Sequence, residues 1–502
     1  MKFINICLLA ALGTGAAACG DDKFDLQPTP PVETDTPDNP EVPGETVTSR
    51  NEQYRPQIHY TPAKNWINDP NGMVYADGIY HLYYQYNPQG NGWGNMSWGH
   101  ATSTDLVHWS EQGVAMVRNE WGDIFSGSAI VDKDNVAGFG KNAILAFYTA
   151  SGEHQQQCLA YSTDGGATYT QYEGNPIIPN TVLGDFRDPK VVWHEESNKW
   201  IMALALGWSH QIEFWGSTDL KNWSRLSTFT TTAERCNIGQ WECPDLIRLP
   251  YKGGEKWVLI VSNNPGGPVG GSGTEYFVGD FDGESFTAMD LDYPLWLDYG
   301  ADNYAGVTWS NMPDNRAVMI GWMNNWNYSG DVPCNPWRSA MTLPRELSLV
   351  EIDGKPLLST TVVGEIDAIA GEWGSANDAI GDAWEARFKI DLTTNSVFRL
   401  ENSYGQYMDV EVNAAARKLI VKRISTTGET RFNNLFSIPS ISAPFNCENE
   451  EMELHVFVDR SSVEIMNAGG TMCLTNLVFP RESYNRISGI ENVSYRKLSS
   501  IW

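Results

Sequence analysis

The 502-residue chain carries 62 Asp and Glu against 34 Lys and Arg, a formal net charge of −28, and 12% aromatic residues including 20 Trp. A surface this acidic repels nucleic acid and anionic membrane, which excludes phosphate-rich partners. The length needs more than one core, the aromatic content excludes disorder, and the Trp count fits flat-faced ligands as well as packing in a large all-β protein.

At the N-terminus Lys2 precedes an apolar run from Phe3 to Leu12, followed by Gly13-Thr-Gly-Ala-Ala-Ala18-Cys19. A basic start, a short apolar stretch and small residues form a secretory signal over residues 1–19, too short to span a membrane. The Ala-Ala-Ala-Cys ending resembles a bacterial lipoprotein signal, in which Cys19 becomes the lipidated first residue. The Asp21-Asp22 pair resembles the surface-export signals of Bacteroides-type lipoproteins. Residues 20–53 read as an acidic tether, with six Pro between Pro28 and Pro43 and no apolar periodicity. Such a segment stays extended because it has no core to bury. Cys7 lies in the signal. Cys158, Cys236, Cys243, Cys334, Cys447 and Cys473 are widely spaced, without a metal-ligand pattern. An exported compartment permits disulfides among them, and buried free thiols are equally open.

The body is rich in short alternating runs bounded by Gly, Asn and Asp, which predicts mostly β structure. Five segments share one form, an acidic or polar residue, a strand, a turn and an aromatic-rich strand. They start at Asp69, Ser126, Asp188, Glu242 and Asp302, with spacings of 57, 62, 54 and 60 residues. A second echo interleaves with them: Ser103-Thr-Asp105, Ser162-Thr-Asp164, Ser217-Thr-Asp219 and, more faintly, Asp280-Phe-Asp282. A period near 60 suits one four-stranded propeller blade. Residues 54–355 are therefore predicted to form a five-bladed β-propeller. Because the first strand of a blade lines the axis, the repeat is expected to bring Asp69, Ser126, Asp188, Glu242 and Asp302 to one end of a funnel. Residues 365–502 alternate cleanly, as in Tyr407-Met-Asp-Val-Glu-Val, and are predicted to form a β-sandwich.

Paired carboxylates in a confined funnel suit glycoside hydrolysis, since like charges keep one acid protonated while the other stays ionised. Arg187 is expected to keep Asp188 ionised, and the setting of Glu242 among Trp241, Cys243 and Pro244 suits a protonated acid. Turn-making by Asp-Pro and Asn-Gly explains one such motif but not three at matching blade positions.

Trp66-Ile-Asn-Asp69-Pro-Asn-Gly72, Phe125-Ser-Gly-Ser128, Phe186-Arg-Asp188-Pro189 and Glu242-Cys-Pro-Asp245 resemble the signature motifs of glycoside hydrolase family 32, the invertases, inulinases and levanases. Asp459-Arg-Ser-Ser-Val-Glu-Ile465 resembles the motif of that family's C-terminal sandwich. The resemblance implies Asp69 as nucleophile, Glu242 as acid/base and Asp188 with Arg187 as transition-state stabiliser. It also implies a retaining mechanism, with carboxyl groups roughly 5–5.5 Å apart. Asn68, Gln85, Trp93, Phe125 and Ser126 match positions that contact the terminal fructose, and Trp66 and Trp93 would offer faces to sugar C–H bonds. Gly321-Trp-Met-Asn-Asn-Trp326 and Pro336-Trp-Arg-Ser339 resemble inulinases and levanases, which makes Trp322 and Trp326 candidates for the funnel rim or its core. His59 and His81 read as structural.

The expected activity is hydrolysis of fructan, β-2,6-linked levan cut internally, by a surface-anchored monomer. A tether favours a polymer, because small sugars can be imported first. Exo-acting inulinase or levanase action, fructosyl transfer, and a non-catalytic surface glycan-binding protein are the alternatives. No metal or organic cofactor is implied, and the membrane is met only through the lipid anchor.

Overall fold

The computed structural model describes residues 50–182, 184–375 and 380–502. The signal, Cys19 and most of the tether lie outside them. Arg50 already belongs to the folded body. Its guanidinium donates to the Thr61 carbonyl at 2.5 Å and to Glu111 at 2.9 Å, and lies 3.8 Å from the Trp502 ring centre.

Five antiparallel sheets follow one another along the chain, each with its strands in sequence order from the axis outward. Their innermost strands are Asn65–Ala76, Asp123–Asp132, Phe186–His194, Gln240–Tyr251 and Tyr304–Thr308. The outermost strand of blade 5 is Lys355–Val362, so that blade runs past the expected 355 boundary. Trp337–Arg338, in the excursion from blade 5, pairs in parallel with Asn65 and Trp66 of blade 1 and ties the last blade to the first. Apolar and aromatic side chains fill the spaces between blades. Tyr83, Trp98, Ile144 and Tyr148 share one such cluster, and Phe214, Trp241, Leu259 and Phe277 share another.

The second echo in the sequence is the turn between third and fourth strands. Asp105 accepts the N–H groups of Val107 and His108, Asp219 those of Lys221 and Asn222, and Asp282 those of Glu284 and Ser285. The short carboxylate satisfies backbone donors that the turn would otherwise leave unpaired.

The first echo hides a displacement. Every innermost strand shifts register against its neighbour once near the mouth, between Ile67 and Pro70, Ile124 and Gly127, Arg187 and Lys190, Glu242 and Asp245, and Tyr304 and Val307. Such bulges re-aim side chains and bend the strand. Aligned on them, Glu242 matches Arg187 and Tyr304, whereas Asp188 matches Cys243 and Asp69 matches Ser126. Three of the bulges hold a non-glycine residue in the left-handed region: Asp188 at φ 65°, Cys243 at φ 46° and Ala305 at φ 53°.

Asp302 therefore does not join the funnel. It is buried, accepting from Arg423 and Tyr328 at 2.5 Å each and from the Leu477 N–H at 2.8 Å. The physical reason is its place two residues before the bulge position, where it turns toward the C-terminal domain and Tyr304 takes the funnel side.

That domain has two five-stranded sheets, with the strand orders Cys473–Leu477, Ser462–Asn467, Glu451–Asp459, Trp384–Asp391, Ser494–Lys497 and Ile438–Pro444, Lys418–Arg423, Tyr407–Asn413, Ser396–Glu401, Arg486–Ser488. Tyr407–Asn413 alternates half-buried and buried residues as a one-face strand should. All six cysteines among the described residues are free.

A buried charge network joins propeller and sandwich. His59 bonds Asp459 at 2.8 Å through Nδ1 and Glu464 at 2.7 Å through Nε2. Asp459 also accepts the N–H groups of Gln57 and Ile58, and Arg345 bridges Glu464 to Asp298. Burial alone would lower the His59 pKa, but the two carboxylates raise it to about 9. Burial opposes ionisation of Glu464, yet Arg345 and His59 hold it at about 2. A group raised from 6.5 to about 9 contributes fully below pH 6.5 and loses its contribution as pH rises through 9. A carboxyl lowered from 4.5 to about 2 contributes fully above pH 4.5 and loses its contribution as pH falls toward 2. Thermal melting across pH 3–10 is expected to be highest between those two limits. Glu464→Gln is expected to cost about 3 kcal/mol in denaturant titration, because His59 and Arg345 each lose one of their two buried counter-charges.

Candidate active site

Asp69, Asp188 and Glu242 meet where the innermost strands of blades 1, 3 and 4 converge. Asp69 Oδ1 accepts from Asn68 Nδ2 at 3.0 Å, and Oδ2 accepts from Ser126 Oγ at 2.6 Å and from the Cys243 thiol at 3.4 Å. Asp188 Oδ2 accepts the Cys243 N–H at 2.8 Å, and its own N–H donates to Thr149 Oγ1 at 3.0 Å. One bulge residue, Cys243, thus touches both aspartates.

Arg187 pairs chiefly with Glu242, whose Oε1 accepts from Nη2 at 2.7 Å and from Nε at 3.1 Å. The Asp188 carboxylate is 3.9 Å from Nε. This corrects the expectation that Arg187 serves Asp188: the bulge sends the two consecutive side chains to different partners. Arg187 is held in turn by Asp185 at 2.6 Å and Gln155 at 3.3 Å. The Tyr304 hydroxyl donates to Glu242 Oε2.

Burial pushes the Asp69 carboxyl up and the Glu242 charge adds to it, while Ser126, Asn68 and Cys243 pull it back. Burial pushes Asp188 up to about 7 despite Arg187, with Glu242 and Asp69 adding to the rise. Neighbouring carboxylates thus oppose the ionisation of both aspartates. A small cavity lies among the innermost strands, lined by Asn71, Ser126, Asp188, Lys190, Cys243 and Thr308. Lys190, buried, donates to Asp245, the Thr308 carbonyl and Thr308 Oγ1 at 2.9–3.1 Å.

Gln85 is buried and bridges blades 1 and 2, donating to Asn71 Oδ1 at 2.8 Å and the Ile124 carbonyl at 3.0 Å. Trp93 is 54% exposed, with its ring edge-on to half-buried Phe125 at 6.1 Å. Trp66 is only 1% exposed. Its Nε1 donates to Asn68 Oδ1 at 2.8 Å, and its ring stacks on Trp326 at 5.9 Å. Trp66 therefore orients Asn68, which in turn donates to Asp69. Trp322 is core, fully buried against Trp66 and Trp326, and donates to the Ile67 carbonyl at 3.1 Å. Trp326 is half-buried at the mouth. Tyr304, Cys243 and Asp185 escaped the sequence reading. Cys243 stood inside a recognised motif, and Tyr304 stood two residues from the blade-5 repeat position.

The glycosyl hydrolases family 32 N-terminal domain matches residues 59–361, and the family 32 C-terminal domain matches residues 359–501. The chain belongs to glycosyl hydrolase family 32. It is accordingly a glycoside hydrolase. It is similar to a levanase of Bacillus subtilis, 44% identical over 459 residues that cover 86% of this chain and 67% of that one. An extracellular exo-inulinase of Aspergillus niger is 38% identical, covering 85% of this chain and 90% of its own. The crystal structure of exo-inulinase from Aspergillus awamori superposes with a TM-score of 0.83 at 34% identity, covering 91% of this chain and 100% of that one.

No helix among the described residues is long and apolar enough to cross a membrane. No group of three or more His, Cys, Asp or Glu among them is placed to hold a metal ion.

Tyr304→Phe removes a hydroxyl that contacts Glu242 without emptying its space. It is expected to lower kcat/KM about tenfold or more, with thermal stability nearly kept, as measured by initial rates and melting of the same preparation.

Proposed function

We propose that this family 32 enzyme hydrolyses fructan with retention of anomeric configuration. Asp69 attacks the anomeric carbon while Glu242 gives its proton to the leaving oxygen. Glu242 then takes a proton from water, which cleaves the fructosyl–Asp69 bond and restores both acids. Asp188 accepts fructose hydroxyls, and Ser126 and Asn68 hold Asp69 in its attacking orientation. Asn68, Gln85, Trp93, Phe125 and Ser126 surround the terminal fructose, with Trp326 at the mouth and the buried Trp66 and Trp322 behind it.

The observation that carries this reading is the bracing of Asp69 from three sides beside a Glu242 that an arginine and a tyrosine hold in place. Donors on Asp69 favour its ionised form, which a nucleophile needs.

The substrate is β-2,6-linked levan, cut internally by a monomer held at the cell surface through a lipid on Cys19. The levanase relative supports the linkage. Exposed Trp residues on two sides of the mouth support a chain that crosses the site. The second reading is exo action, favoured by the likeness to exo-inulinase.

Glu242→Gln is expected to lower kcat on levan by about 10²–10⁴-fold. Unchanged release of reducing sugar would sink the assignment. Early products from levan distinguish the two modes: an oligosaccharide ladder means endo action, and fructose alone means exo action. The first-formed anomer, followed by NMR, is expected to keep the substrate configuration. Ser126→Ala removes a donor that lowers the Asp69 pKa, so the acid limb of the kcat/KM profile is expected to move to higher pH.

A further inference from the structure

Exposed large apolar side chains gathered in one place mark a contact surface. Among the described residues, Trp93, Val117, Val182, Trp208 and Ile238 are exposed in connections at the mouth end of the propeller. Trp208 is 60% exposed and Ile238 50%. Trp208 occupies the turn Gly207–Ser209 between the second and third strands of blade 3. Ile238 stands just before the innermost strand of blade 4, which begins at Gln240.

Several contacts place this pair on the Glu242 side of the mouth. The Gly207 N–H donates to the Asp185 carbonyl at 3.2 Å, and the Asp185 carboxylate holds the Arg187 that holds Glu242. A Cβ on Gly207 would meet Gln240 Cγ at 2.5 Å and the Trp241 carbonyl at 3.0 Å, so the turn presses on the residues that precede Glu242. His210 Nε2 donates to the Gly239 carbonyl at 2.6 Å, joining the loop of Trp208 to that of Ile238.

An acid that protonates a leaving oxygen stands where the departing part of the substrate emerges. From these placements we propose that Trp208 and Ile238 form a platform for the leaving-side fructosyl units of a fructan chain. This rests on the fructan-hydrolase reading above and adds the residues that bind beyond the scissile bond. Sugar C–H faces pack on the indole and the Ile238 side chain, and a neutral chain asks for no charged partner there. Sucrose, with one sugar on the leaving side, uses less of the platform than a polymer does.

The test compares kcat/KM on levan and on sucrose for the wild type, Trp208→Ala, Trp208→Phe and Ile238→Ala. Trp193→Ala, at the far end of the blade 3 inner strand, serves as control. The levan-to-sucrose ratio is expected to fall about five- to tenfold in Trp208→Ala and less in Ile238→Ala. Trp208→Phe is expected to recover most of the loss, and Trp193→Ala to keep the wild-type ratio. An unaltered ratio in both alanine variants at the platform, or an equal fall on both substrates, overturns the platform. A wild type inactive on every fructan overturns instead the reading on which it rests.

Discussion

Side chains of a regular strand point alternately to opposite faces, so two consecutive residues cannot both reach one site on the axis. The innermost strands escape that constraint through a bulge that all five blades share. In blade 3 it lets Arg187 reach Glu242 while Asp188 reaches the Cys243 N–H. In blade 4 it lets Glu242 and Cys243 face the same cluster. Non-glycine residues at φ 46–65° carry an unfavourable backbone of about 1–3 kcal/mol each. The packed aromatic interfaces between blades offset that cost, and the site inherits its geometry from them.

The C-terminal sandwich takes part in the same construction. Arg423 holds Asp302 and Tyr328, and Asn433 donates to the Asn327 carbonyl and to Asp331. Tyr328, Asn327 and Asp331 lie on the blade 5 excursion that carries Trp326, and Asp302 just precedes the innermost strand of that blade. Trp326 stacks on Trp66, which orients Asn68 beside Asp69. The charged network around His59 and Glu464 fastens the two domains on the other side of blade 5, where Arg345 begins the third strand of that blade. Buried charges are costly unless every one is paired, and here each is met by at least two partners.

Much of the fold was legible because repetition is a sequence property. Five starts near a 60-residue period marked the blades, and the clean alternation after residue 365 marked the sandwich. The three acids were legible because each sits in a motif whose residue types suit the chemistry. The Trp excess was ambiguous in sequence. Trp66 proved to be core like Trp322, not a face open to sugar, whereas Trp93 and Trp208 face solvent at the mouth.

The sequence by itself determined the blade count, the second domain, the family resemblance and the motifs that carry Asp69, Asp188 and Glu242. These follow from local motifs and their period. Only the tertiary structure decided that Arg187 serves Glu242, that Tyr304 stands in the funnel in place of Asp302, and that Cys243 touches both aspartates. A two-residue bulge leaves the spacing between motifs almost unchanged, yet it moves side chains to other partners. Those partners lie in different blades, 55 residues apart for Arg187 and Glu242, or in different domains, 121 apart for Asp302 and Arg423, and only the closed ring and the docked sandwich bring them together.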